Sequence, residues 1–458
     1  MSVLAAPRLR GKPGRRLALV IALAVVMTVL GAVIGRYHPP SDPDPAAAGP
    51  GSAALSALLA PPVLDAAGGS KALSSLQERL RTLPDDWNSW ANLGLLYTAQ
   101  ARLTADPSFY AKADGAFAAS LRLHPDDNAA ATTGKATLAA SRHDFTGALA
   151  LTQAADGANA YSAPNLGVMT DALIELGRYP EAFESLQRMV DLKPGVASYT
   201  RVSYAYELRG DLEGARFALD RALVVATNPA DIAFVQQYLG ELAFNSGDLA
   251  TASQHVTAGL AVAPDYVPLL AGRARVEAAQ GQTEAALKDW ALVTTRLPQP
   301  TYLIEYADLL TALGRTQDAD AQYALVAATA ALYRAAGANV DLELSLYDAD
   351  HSRGQDALRA AQTQIDQRHS SAVEDAYAWA LHAVGRDAEA LPHATAAAAL
   401  GMKNALFAYH RGMIEKALGH DAEAKTSLGT AMTQNPHFSP LQAPAAQAAL
   451  DELTKKGS

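Results

Sequence analysis

The sequence predicts an all-α solenoid of about ten helix–turn–helix units, and three regularities in the 458-residue chain carry that prediction. A small residue recurs at Ala113, Ala148, Ala182, Ala215, Ala252, Ala286, Ala319, Ala357, Ala390 and Ala424, in steps of 33 to 38 residues. Five positions before that slot stand Gly177, Gly210, Gly247, Gly281, Gly314, Gly385 and Gly419; twelve positions after it stand Pro125, Pro194, Pro264, Pro298 and Pro436. Glycine ends a first helix because the residue after a helix favours positive φ, and proline ends a second because it cannot extend one. A unit of this length cannot bury its apolar stripe alone, so neighbours must stack into one continuous core.

Taken in order, the chain opens with a basic tail, residues 1–16. Leu17–Gly35 then runs for 19 residues without a charge. As a helix this segment is about 28 Å long, close to the ~30 Å hydrocarbon layer of a bilayer. Arg8, Arg10, Lys12, Arg15 and Arg16 precede it and only Arg36 follows. The asymmetry predicts a signal-anchor with its N-terminus in the cytoplasm and the body outside; a cleaved signal peptide is the alternative. Residues 36–69 read as a linker rich in Pro, Ala and Gly, extended because proline fixes φ and lacks a donor. The array is expected over 70–440, entered by a lone helix at Ser70–Leu83. A capping helix and tail, 441–458, closes it.

Charge narrows the partners. Residues 1–36 contain six basic side chains and no acid, which leaves 31 of the 37 Lys and Arg against all 47 acids in the remainder, a net of −16. Such a body is unsuited to nucleic acid, which needs clustered cations to neutralise phosphates. With no Cys, disulfides, thiolate metal sites, a cysteine nucleophile and lipidation of an N-terminal Cys are all excluded.

The first unit spells Trp90-x2-Leu93-Gly94-x2-Tyr97, then Ala113, Phe117 and Pro125, with about seven extra residues around Leu103–Phe109 in its turn. Later copies run from Leu166 to Pro194 and from Leu239-Gly240 through Ala252 and Leu260 to Pro264. On these residues the chain resembles the tetratricopeptide repeat (TPR) family. The final units (Asp375–Leu391, Tyr409–Ile414, Asn435–Pro440) are similar to those of membrane-linked TPR proteins of actinobacterial-type genomes. The resemblance implies a right-handed superhelix that holds a protein or peptide partner in its concave groove. Family groove slots then fall on Tyr204, Glu207, Gln237, Glu241, Phe244, Asn245, Arg275, Asp308, Trp379, His382, Tyr409, Met413 and Lys416. Aromatics among amides and acids suit peptide capture, because rigid rings give large contact area at low entropic cost. The family's chaperone-tail binders carry Lys and Asn where this chain has Ala91, Leu95 and Thr98, so that specialisation is not implied. Phe117, Phe183, Trp290 and Tyr323 are expected to fill the spaces between helices. The units centred on Ala148 and Ala357 are the weakest, with His143 and Ser352 in the glycine slot, and a longer helix near Ala327–Ala336 should bend the array.

Catalytic signatures are missing: there is no HExxH, GxSxG, phosphate loop or GxGxxG, and the repeats leave no room for a catalytic domain. The expectation is a non-enzymatic adaptor without cofactor, tethered to the membrane through Leu17–Gly35, with its body outside the cytoplasm. Asp348-Ala-Asp350-His-Ser352-Arg-Gly354 imitates a calcium loop but places Arg353 where the sharp turn needs Gly, and Arg359 where the loop needs its closing Glu. A helix cap is the expected role of its Asp and Ser. Seven of the eleven His (His351, His369, His382, His393, His410, His420, His437) lie in the last 110 residues, none at helical metal-ligand spacing. They leave one alternative function open: an accessory of a transport or metal-handling system.

Overall fold

The computed structural model describes residues 66–456, in which every element is helical: twenty-two α-helices and, among the described residues, no strand. A lone helix, α1 (Ala66–Thr82), precedes the hairpins α2–α3 (Trp87–Thr104, Ser108–Leu123), α4–α5 (Ala129–Ser141, Phe145–Ala158) and α6–α7 (Ala163–Glu175, Tyr179–Leu192). Next come α8–α9 (Val196–Leu208, Leu212–Val225), α10–α11 (Pro229–Asn245, Leu249–Val262) and α12–α13 (Val267–Ala279, Thr283–Arg296). The series continues with α14–α15 (Pro300–Ala312, Thr316–Ala335), α16–α17 (Asp341–Asp350, Gly354–Ile365) and α18–α19 (Ser371–Ala383, Asp387–Ala397). The tenth hairpin is α20–α21 (Ala405–Ala417, Asp421–Gln434), and a single helix, α22 (Gln442–Lys456), ends the array. Because α1 starts at Ala66, the helical body begins within the last residues of the expected linker. The basic tail, Leu17–Gly35 and residues 36–65 lie outside the described residues. Among the described residues no helix is long and apolar enough to cross a membrane.

Local chemistry explains the boundaries. Asp86, Asn128, Asp144, Asp211, Asn228, Asp248 and Asn404 each accept a backbone N–H in the first turn of the helix that follows. All seven slot glycines have φ between +71° and +77°, and His143 and Ser352 adopt the same left-handed turn at +61°. The two weak units therefore keep the geometry of the others at the cost of a strained side chain. The expected cap in the false calcium loop is absent: Arg353 precedes α17 and no side chain caps it. Asp348 instead pairs with Arg353 at 2.5 Å.

The small-residue slot is buried in all ten hairpins. Phe117 is completely buried between α2 and α4, so tightly that a Cβ on Gly94 would sit 2.6 Å from its ring. That contact is the physical meaning of the Leu-Gly pair in the repeat. Trp290 is likewise buried, whereas Phe183 and Tyr323 are only partly covered. At 20 residues α15 is the longest helix among the described residues.

The array turns back onto itself. Arg142 O, in the α4–α5 turn, accepts a hydrogen bond from Asn339 N at 2.9 Å, just before α16. Tyr179 OH, opening α7, accepts from Ser371 N at 2.8 Å, 192 residues away. Gly210 lies against Gly401 O, and Gly247 against Gln434 O. The turns of the second to fifth hairpins thus carry the loops before α16, α18, α20 and α22 in succession, and the first helices face a lumen between the two coils.

Candidate functional site

The lumen is lined by the first helices of the hairpins. Around α10, α12, α14 and α16 it widens to a cavity of about 700 Å³, closed on the far side by Leu406 and by residues 436–444 ahead of and within α22. Gln237, Glu241, Phe244, Asn245, Arg275 and Asp308, six of the sequence-derived groove residues, line this one space.

Charged side chains link successive first helices. Arg275 on α12 grips Glu305 on α14 with two hydrogen bonds, 2.5 and 2.8 Å, and stands 3.9 Å from Glu241 on α10. Gln237 donates to Glu241 at 3.1 Å and accepts from Tyr266 OH at 3.0 Å. Two hairpins earlier Arg201 on α8 forks onto Asp171 on α6 at 2.8 and 2.6 Å, beside a second cavity of about 640 Å³ that also includes Arg102 and Tyr204. Both Arg–carboxylate forks span 30 residues, one repeat less one helical turn.

The lumen shifts the acidity of its groups because it surrounds them with protein. Burial lowers the Arg275 guanidinium, but the attraction of Glu305 and Glu241 more than reverses this and holds it charged. Glu207 has no such partner. Burial and then the repulsion of Glu241 push it up to about 7. Asp308 rises to about 7 by burial, although Tyr323 OH donates to it at 2.7 Å. Tyr238 and Tyr302 are both pushed up to about 12 by burial, so they remain neutral donors. Tyr204, which lines the second cavity, keeps 40% of its surface and Tyr238 37%.

The remaining groove residues are placed differently. Trp379 and Tyr409 are only 7% and 5% exposed and belong to an apolar core with Leu428, Ala446 and Leu453, to which Met413 adds a flank. His382 stacks on Trp379 at 4.8 Å, and Lys416 reaches Glu452 of α22 at 2.5 Å. The terminal helix packs on the core that holds Trp379, Tyr409 and Met413 and pairs with Lys416, while Trp379 donates at 2.8 Å to Asp350 at the cavity's edge. The sequence reading missed Glu305, Tyr347 and Asp350 of the lining, Tyr266 behind Gln237, and the roof from Pro436 to Ala443. The 30-residue Arg–acid spacing, visible in the sequence, would have found Glu305.

Histidines in the last hairpins rest on carboxylates. Glu374 bridges His369 and His393 at 2.8 and 2.6 Å, Asp387 takes His382, and Asp375 holds the fully buried His410 at 2.9 Å. Among the described residues no group of three His, Cys, Asp or Glu side chains is arranged to hold a metal ion.

No family model matches the chain, and neither does any curated protein sequence. Solved structures of similar fold include a tetratricopeptide repeat protein from Parabacteroides merdae, 18% identical, over 57% of this chain and 98% of that one, at a TM-score of 0.33. The Cut9–Hcn1 hetero-tetramer of the APC/C is 12% identical over 87% of this chain and 95% of its own, with a TM-score of 0.38. The TPR protein TTC0263 of Thermus thermophilus is 19% identical over 38% of this chain and 91% of its own, at 0.34. What the fold defines is an α-solenoid of TPR-like hairpins, an architecture typical of protein–protein interaction.

Proposed function

We propose that this chain is a non-enzymatic scaffold, anchored in the cell membrane by Leu17–Gly35, whose body lies outside the cytoplasm and holds an extended segment of a protein partner in its lumen. One observation carries the reading: the inner faces of α10, α12, α14 and α16 combine Phe244, Tyr347, Gln237, Asn245 and a charge ladder around one cavity. Amides and carboxylates there can take up the backbone and polar groups of an extended peptide, and aromatic rings its apolar groups. The similarity of the last units to membrane-linked TPR proteins supports the tether. A photo-crosslinking amino acid replacing Phe244, inside the cavity, should yield a protein adduct in intact cells. The same amino acid replacing Phe217, on the outer face and 66% exposed, should not. Adducts from position 217 alone would refute a luminal partner site.

A further inference from the structure

Consecutive hairpins share apolar layers, but the two coils of the body meet along a seam of another kind. It contains direct backbone and polar contacts: Asn339 N on Arg142 O at 2.9 Å, Ser371 N on Tyr179 OH at 2.8 Å, and an ion pair between Arg368 and Glu175, 193 residues apart. Arg368 is buried, held by two hydrogen bonds to Gln364 Oε1 and stacked 4.9 Å above the Phe145 ring. Apolar contacts accompany them: Leu400 and Met402 pack against the core of the second to fourth hairpins, and Ala338, with Ala336 and Tyr333, joins the core of the first two.

The turn glycines divide into two sets along this seam. A Cβ on Gly177, Gly210 or Gly247 would stand 2.5, 2.2 and 3.0 Å from the carbonyl oxygens of His369, Gly401 and Gln434. The same atom on Gly281, Gly314, Gly385 or Gly419 would meet nothing within 4 Å, although φ is the same. In the first coil, then, the slot has a second duty: it lets two backbones touch.

We propose that the seam is a gate, which parts to let an extended polypeptide segment pass sideways into the lumen and then closes over it. The proposal rests on the lumen being the partner site. Polar interfaces of this kind permit relative motion, and a solenoid whose repeats touch only their neighbours can spread a small opening over many joints. The latch is also weak for its size. Burial pushes the Glu175 carboxyl up and the Arg368 guanidinium down, so desolvation offsets much of their attraction. Opening at an interface held partly by a desolvated ion pair and a few backbone contacts is what local stability differences favour.

A cysteine-free chain makes the test clean. The full-length protein with Glu207→Cys, facing the lumen, is labelled with N-ethylmaleimide and with a 5-kDa polyethylene-glycol maleimide, and Phe217→Cys serves as the outer reference. The large reagent should lag the reference at least tenfold at position 207. Adding Gly210→Ala should abolish the lag, while Gly314→Ala, equally strained but facing open space, should leave it; Arg368→Ala is the second opening variant should Gly210→Ala unfold. Equal labelling without any opening variant, or no acceleration in either opening variant, overturns the gate. In membranes, an Arg142→Cys/Asn339→Cys staple should suppress the photo-adduct from position 244 until dithiothreitol is added. An adduct that persists in the stapled protein means loading through the ends of the lumen and overturns the gate. Seam-dependent labelling with no adduct in either redox state supports the gate and overturns the partner site instead.

Discussion

Alanine does the structural work at ten equivalent positions because nothing larger fits where two helices meet. Ala182 is completely buried between α6 and α7. Ala182→Leu should overpack that contact and lower stability by about 1–3 kcal/mol; an unchanged melting temperature would show that the slot is not tight. Single residues also set the pH response. Glu207 and Asp308 both titrate near 7 in the folded chain, well above the ordinary 4.5 and 3.8. A raised carboxylate stabilises the fold while it keeps a proton the unfolded chain would release. That contribution is complete below the ordinary carboxylate range and disappears as pH rises through about 7. Calorimetry should therefore show stability falling between about pH 4 and pH 7, with a shallower slope in Glu207→Gln. An identical slope in that variant would mean that Glu207 is not held in its protonated form. The alanine slots were legible because period and residue size are written directly in the chain. The raised carboxylates were not, since they arise first from burial, which only the assembled array creates.

At the scale of elements, the hairpins were legible almost to their boundaries, because caps, left-handed turns and closing prolines are local chemistry. The terminal helix α22 was legible as a helix, but its target was not. Ala446, Ala449 and Leu453 bury the core that holds Trp379 and Tyr409, so two apparent groove aromatics became interior residues. Repeat arrays need such a cover, because the last hairpin otherwise presents an apolar face to water. Truncation before Gln442 should therefore expose that core, red-shift tryptophan emission and raise binding of the dye ANS. An unchanged spectrum would mean that α22 is dispensable to the array. Within the array, Phe117→Ala should cost about 3–5 kcal/mol, since Gly94 and Gly134 crowd its ring from both sides and its removal leaves a cavity in the buried core. A thermal unfolding shift of less than a degree would contradict that packing.

At the scale of the whole molecule, periodicity predicted a stack but could not predict that the stack meets itself. Contacts between residues 192 and 193 apart leave no mark in a 34-residue rhythm beyond glycines that the turns require in any case. Topology is different, because it is set by charge placement along the chain. Five basic residues precede Leu17 and one follows Gly35. On the proposal of a retained anchor, that bias keeps the N-terminus inside and carries the acidic body across the membrane. A reporter that is active only outside the cytoplasm, fused after Ser458, should give signal, and carbonate washing should leave the protein in the membrane fraction. Loss into the carbonate wash would replace the anchor with a cleaved signal while leaving the body outside. A cytoplasmic C-terminus would overturn the extracytoplasmic proposal entirely. The luminal site would survive that result, since the stacking that builds it depends on the repeats and not on the membrane.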